Sequence, residues 1–178
     1  MNPIIKKTGI QVGLFLAIIQ IAIILYLYFL GSFTDLKIGM LSIVMTLLIG
    51  ITAIVITKKR LCNKISLREA FSGYFITILI SMLISNVFYV SFFNTLAQES
   101  KKEQIKKEFY DFSIKNMHEF DFSKEDYKNN IQLQKDFDPF SINTSFQKSI
   151  RFLLLYCVFG ILIAVIFRNK SSYQEIEN

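Results

Sequence analysis

Residues 71–93 read FSGYFITILISMLISNVFYVSFF, and this stretch decides the fold class because it contains no charged side chain. As an α-helix it would measure about 35 Å, enough to cross a hydrocarbon core of about 30 Å. Three further apolar stretches occur in the chain: Ile10–Leu30, Ile38–Ile56 and Ile150–Phe167. The sequence therefore predicts an all-α, polytopic membrane protein with four transmembrane helices.

The composition favours a membrane protein over a soluble one. Of the 178 residues, 52% are hydrophobic and 19% are charged. Four buried helices in a soluble protein are the alternative, but so short a chain leaves too little polar surface to cover them. The first stretch could instead be a cleaved signal peptide, since Lys6 and Lys7 precede it. Its long apolar core, and the lack of a small-residue cleavage site after it, argue against cleavage.

Basic residues cluster in short segments beside the apolar stretches, and this pattern predicts the orientation. They precede the first stretch, occupy the second loop and follow the fourth stretch: Lys6, Lys7, Lys58, Lys59, Arg60, Lys64, Arg68, Arg168 and Lys170. The first loop, Gly31–Lys37, has one Lys and one Asp. We therefore expect both termini in the cytoplasm. We expect the lipid bilayer as a partner and no nucleic acid.

A long polar segment, residues 94–149, separates the third and fourth stretches. Its first half has apolar residues in one narrow sector of a helix, opposite charged ones. We call these apolar residues the apolar stripe: Ile105, Phe109, Phe112 and Phe120. A second, weaker helical pattern starts at Ser123 and ends before Pro139. We predict one membrane domain over residues 1–178, with 94–149 as an extracytoplasmic helical hairpin and the stripe as a candidate interaction surface.

Small residues recur at helical spacing within the four stretches, which is typical of close helix packing in membranes. The candidate packing residues are Gly9, Gly13, Ala17, Gly50, Gly73, Thr77, Ser81, Ser85, Gly160 and Ala164. The hydroxyls of the third stretch could alternatively line a path for a solute. Gln20 and Asn86 are the most polar intramembrane side chains, and we expect them to form hydrogen bonds between helices.

The sequence offers no recognisable catalytic constellation. No acidic, histidine or mid-span basic residue lies within the stretches, so the usual residues of a proton relay are missing. His118 has Glu119 and Asp121 as neighbours, but adjacent positions on a helix do not converge on one metal ion. No GxSxG, HExxH, P-loop or dinucleotide fingerprint occurs in the sequence either. We therefore expect no enzymatic activity, no catalytic or metal-binding residue and no cofactor.

A capping box precedes the third stretch, in the segment Ile65-Ser66-Leu67-Arg68-Glu69-Ala70-Phe71. The Ser66 hydroxyl is placed to accept from the Glu69 backbone N–H, and the Glu69 carboxylate is placed to reach back. This segment, Gly73 and the long charged loop resemble a bacterial family of small four-span membrane proteins, described only as a domain of unknown function. The resemblance covers nearly the whole chain. It implies the fold and an inner-membrane setting, and no activity.

Two functions follow as hypotheses. The first is a non-enzymatic interaction or accessory protein that acts through its outward helical loop, with a membrane protein, an extracytoplasmic protein, lipid headgroups or a second copy as partner. The alternative is a small channel or transporter, formed by an oligomer around the polar face of the third stretch. Binding of a partner would support the first hypothesis, and flux of a solute would support the second.

Overall fold

The computed structural model describes residues 2–119 and 137–169. Five helices lie within these residues: α1 Pro3–Phe29, α2 Leu36–Arg60, α3 Leu67–Thr95, α4 Glu99–Glu119 and α5 Ile142–Phe167. All except α4 are long and apolar enough to cross a membrane. The prediction of an all-α protein with four transmembrane helices is therefore confirmed.

Polar side chains fix where the membrane helices begin. The Asn2 carboxamide and the Asp35 carboxylate accept from backbone N–H groups in the first turns of α1 and α2. At α3 the capping box is formed: the Ser66 hydroxyl accepts from the Glu69 N–H at 3.3 Å, and the Glu69 carboxylate accepts from the Ser66 N–H at 2.9 Å. Ser141 caps α5, so that helix starts well before the apolar stretch within it.

The membrane helices form a bundle in which α2 and α3 each contact the other three. Consequently α1 and α5 lie at opposite corners. The closest approach of α1 to α3 is at two glycines of α1. A Cβ placed on Gly9 would lie 3.2 Å from the Gly73 carbonyl oxygen, and one on Gly13 would lie 2.9 Å from the Thr77 carbonyl oxygen. Small residues thus permit backbone contact here, as is usual in membrane bundles.

A second close approach joins α2, α3 and α5 around one aromatic ring. Tyr74 of α3 is 1% exposed, and its ring lies between Gly50 of α2 and Gly160 of α5. A Cβ on Gly160 would come within 2.5 Å of the ring, and one on Gly50 would also overlap it. Ala164 is fully buried in the same cluster. The absence of side chains at the two glycines therefore makes room for the tyrosine.

The two ends of the bundle differ in composition. One end carries α4 and the α1–α2 loop, and we call it the α4 end. The other carries the start of α1, the α2–α3 loop and residues 168–169, and we call it the basic end. At the basic end the Lys58 ammonium donates to the Phe167 carbonyl at 3.0 Å, and Ile65 and Asn169 exchange two hydrogen bonds of 2.9 Å.

Between α3 and α4 the chain turns without a glycine or a proline. Nothing in the sequence required α3 to stop near the membrane surface, yet it ends at Thr95. The Gln98 N–H then donates to the Tyr28 hydroxyl at 3.0 Å, which ties the turn to α1. The turn brings Ile105 of α4 into contact with the bundle, where it is 2% exposed. Burial of this apolar side chain explains why the helix does not simply continue.

Candidate binding surfaces at the α4 end

Helix α4 packs on the bundle through an aromatic cluster at the α4 end. Its buried members come from α1, α3, α4 and the turn before α5: Tyr28, Phe92, Phe93, Ile105 and Phe140. The Phe93 ring stacks on that of Phe140 with 4.3 Å between centroids. The Tyr28 ring meets that of Phe92 edge to face at 5.0 Å. Aromatic pairs in these geometries add about 0.5–1.5 kcal/mol each beyond the area they bury.

Two residues of the apolar stripe, Ile105 and Phe109, pack on this cluster from α4. Ile105 is buried within the chain, so it is not free to contact a partner. Phe109 is half-buried, with its ring 6.5 Å from that of Phe33 in the α1–α2 loop. Phe112 is also half-buried. The predicted hairpin therefore has its first helix packed on the bundle, while Phe120 and the predicted return helix from Ser123 lie outside the described residues.

Polar contacts add a smaller contribution to the seating of α4. The Lys106 ammonium lies 3.1 Å from the Asp138 carboxylate, and both side chains are nearly half exposed. Pairs with this exposure are worth about 0–1 kcal/mol. The Ser32 hydroxyl donates to the Glu108 carboxylate at 2.7 Å. Apolar burial consequently holds α4, and these polar contacts fix its rotation.

The side of α4 away from the bundle is charged and exposed. Its residues follow a four-residue spacing that alternates acidic and basic groups: Glu103, Lys107, Asp111 and Lys115. We call this set the α4 charged face. It carries two groups of each sign, so its formal charge is zero. Glu and Asp precede Lys at the spacing that stabilises a helix, by roughly 0.2–0.5 kcal/mol per pair.

A cleft opens between α2 and α5 beside the seated α4. Its volume is about 480 Å³, within the ~300–1,000 Å³ typical of small-molecule sites. We call it the lateral cleft. Its walls are mainly apolar, with polar groups that include Gln20, Ser85, Asn86, Thr144, Lys148 and Ser149. Phe109 also lines the lateral cleft, so α4 contributes one of its side chains.

The two intramembrane amides make hydrogen bonds between helices in this cleft. The Asn86 amide of α3 donates to the Ser145 carbonyl of α5 at 3.1 Å and also contacts the Ser149 hydroxyl. The Gln20 amide of α1 donates to the Thr46 hydroxyl of α2 at 3.4 Å. The Gln20 carbonyl oxygen is buried and has no partner among the described residues. Such a group favours a donor brought by a ligand or by water.

Some polar residues of the third stretch are buried between helices, and others line the lateral cleft. Thr77 and Ser81 are fully buried. The Thr77 hydroxyl donates to the Gly73 carbonyl at 2.9 Å, with the Gly9 carbonyl at 3.3 Å, and the Ser81 hydroxyl donates to the Ile78 carbonyl at 2.9 Å. Ser85 and Asn86 instead line the lateral cleft. The hydroxyls thus do not form one continuous lining.

Sequence reasoning did not predict the lateral cleft or the aromatic seat of α4. The cleft depends on the separation of α2 from α5, which no local pattern encodes. For the packing of α4, the sequence shows Pro139 only as the end of the second helical pattern, whereas Phe140 directly after it is 1% exposed. Phe140, an apolar residue directly after Pro139, is the feature of the sequence that could have indicated this packing.

The polar groups of the lateral cleft can donate and accept hydrogen bonds. Amides, hydroxyls and one ammonium group line the lateral cleft together with the Asp35 carboxylate, which already caps α2. In residues 2–119 and 137–169, no three His, Cys, Asp or Glu residues come together as a metal site requires.

Comparison with known proteins places the chain in a family. No curated protein and no solved structure matches it. A family described as "Protein of unknown function (DUF4199)" matches residues 7–169, which include α1 from Lys7 onward and the whole of α2, α3, α4 and α5. The match spans far more than half of the chain. This multi-pass membrane protein therefore belongs to the DUF4199 family.

Proposed function

We propose that this membrane protein is a non-enzymatic interaction or accessory protein that binds its partner at the α4 end. The observation that carries the proposal is the packing of α4: Ile105 and Phe109 pack on the bundle, and the α4 charged face stays exposed. A helix held in this way presents a fixed pattern of charges, so little conformational freedom is lost on binding. The partner would contact the charged face rather than the buried Ile105.

The balance of charges on the α4 charged face favours a protein as the partner. Headgroup recognition at a membrane surface uses clusters of Lys and Arg, whereas this face alternates acidic and basic groups. Alternating charges instead match a protein surface with the complementary order, which gives specificity and register. A second copy of the chain satisfies this requirement as well as a different protein does.

The proposal includes an orientation and a location. With both termini in the cytoplasm, as the distribution of Lys and Arg favours, the α4 end faces outward. In a bacterial inner membrane the partner would then be an extracytoplasmic protein, or a membrane protein with an extracytoplasmic portion.

Site-specific photocrosslinking in native membranes tests this proposal. A photoreactive residue at Glu103, Lys107 or Asp111 should give a discrete adduct, because all three side chains are exposed on the charged face. The same residue at Lys59, exposed at the basic end, is the matched control and should not give that adduct. An adduct of twice the mass of the chain would identify a second copy. Identical products from both ends, or none from α4, would refute the proposal.

A channel or transporter is the second candidate, because Ser85 and Asn86 line the lateral cleft. Between these two residues and the basic end, the bundle is closed by Tyr74, whose ring is held between Gly50 and Gly160. A path through the membrane would require this contact to open. Release of a small polar solute from proteoliposomes that contain the protein, with protein-free liposomes as control, tests this function.

A further inference from the structure

A second groove, independent of the α4 end, lies between α1 and α2 near the basic end. Its volume is about 430 Å³. One part of its lining is apolar, with Val12 and Phe15 from α1 and Ile49 and Ile56 from α2. Phe15 is 59% exposed on the surface of the bundle. In a membrane this surface faces lipid, so the groove is open to the acyl chains around it.

The groove ends at an arginine that the bundle holds in place. The Arg60 guanidinium donates through Nη1 to the Thr8 hydroxyl at 2.9 Å and to the Gln11 side-chain carbonyl at 3.3 Å. Thr8 is itself 1% exposed, so the first acceptor is fixed. An arginine has five N–H donors. The remaining donors stay available at the last residue of α2, where that helix reaches the membrane surface.

We infer that this groove binds one phospholipid, with an acyl chain between α1 and α2 and the phosphate on Arg60. The charge of a phosphodiester complements a guanidinium, which forms paired hydrogen bonds with phosphate oxygens. None of the described residues that line the groove carries a carboxylate to compete for Arg60. The apolar wall runs from the headgroup level towards the middle of the membrane, which matches the order of polar and apolar parts in a phospholipid.

Other cations at the basic end do not meet the same conditions. Lys58 donates to the Phe167 carbonyl, and Lys59 is exposed but does not line the groove. These lysines raise the local positive potential, which attracts anionic headgroups in general. Arg60 is distinguished by its fixed position and by the apolar groove next to it.

Native mass spectrometry of the full-length protein in a neutral detergent tests the inference. The probe is palmitoyl-oleoyl phosphatidylglycerol, and one bound lipid per chain is expected. Arg60→Gln should weaken retention by about tenfold or more, since hydrogen bonds to charged groups contribute about 1.5–3 kcal/mol. Lys59→Gln removes the same charge from the neighbouring residue and should retain the lipid. Equal retention by the two variants would overturn the inference.

A second variant and two further probes keep the test decisive. Thr52→Phe fills the groove and leaves Arg60 unchanged, so it should also lose the lipid even if Arg60→Gln folds poorly. Phosphatidylcholine should bind, because it shares the phosphate, and diacylglycerol should not. Binding of diacylglycerol as strong as that of the phospholipid, displacement of the lipid by inorganic phosphate, or full retention by Thr52→Phe would each overturn the inference.

Discussion

The substitution Gly50→Ala tests the packing that closes the bundle below the lateral cleft. The added Cβ would lie 2.8 Å from Cδ2 of the Tyr74 ring and nearer still to Cε2, well inside ordinary contact distance. The ring cannot withdraw, because the Gly160 backbone lies against its other edge, where a Cβ would be 2.6 Å from Cδ1. Helices α2 and α5 must therefore move apart. Overpacking of this kind costs about 1–3 kcal/mol.

Gly39→Ala is the matched control for this change. Gly39 also lies in α2, and a Cβ placed on it has nothing within 4 Å. Alanine is favoured over glycine in a helix by about 0.8–1.0 kcal/mol, so the control should be as stable as the wild type or more so. We expect Gly50→Ala to be less stable than Gly39→Ala by about 1–3 kcal/mol, the overpacking cost.

The assay is reversible unfolding in mixed micelles, with helical circular dichroism followed as the denaturing detergent increases. Repeating both substitutions in a Tyr74→Leu background gives a double-mutant cycle. A leucine leaves room between the glycines, so the cost of Gly50→Ala should fall. Equal stability of the two alanine variants, or the same cost in both backgrounds, would show that the ring is not confined as described.

Three further predictions concern the cap, the seat of α4 and the orientation. Ser66→Ala should lower the free energy of unfolding by about 1 kcal/mol through loss of the N-cap, and an unchanged unfolding midpoint would contradict this. Ile105→Ser should detach α4 while the bundle stays folded, seen as faster proteolysis within α4 than in Lys107→Ser; equal rates would mean that Ile105 does not hold the helix. In intact spheroplasts, an impermeant thiol reagent should label Ser113→Cys but reach the exposed Cys62 only after lysis, and the opposite pattern would reverse the orientation.

Properties that depend on neighbouring residues could be predicted from the sequence alone. An apolar stretch of sufficient length predicts a membrane helix wherever it occurs, because the requirement to satisfy backbone hydrogen bonds in lipid is local. The capping box at Ser66 and Glu69 is likewise contained in four consecutive residues. Spacing also indicated the small residues at which helices approach, although it did not identify which helix each one meets.

The way in which distant segments combine became apparent only in the folded chain. The apolar stripe was predictable from the spacing of its residues, but the cover of Ile105 comes from Tyr28, Phe93 and Phe140, which are far apart in the chain. Nothing in the local pattern states that α3 stops at Thr95 so that Ile105 can return to the bundle. The lateral cleft depends on where α2 and α5 separate, and the fixed Arg60 depends on Thr8 of another helix. Such contacts arise from the relative positions of helices, which packing of the whole bundle sets and no single stretch of sequence encodes.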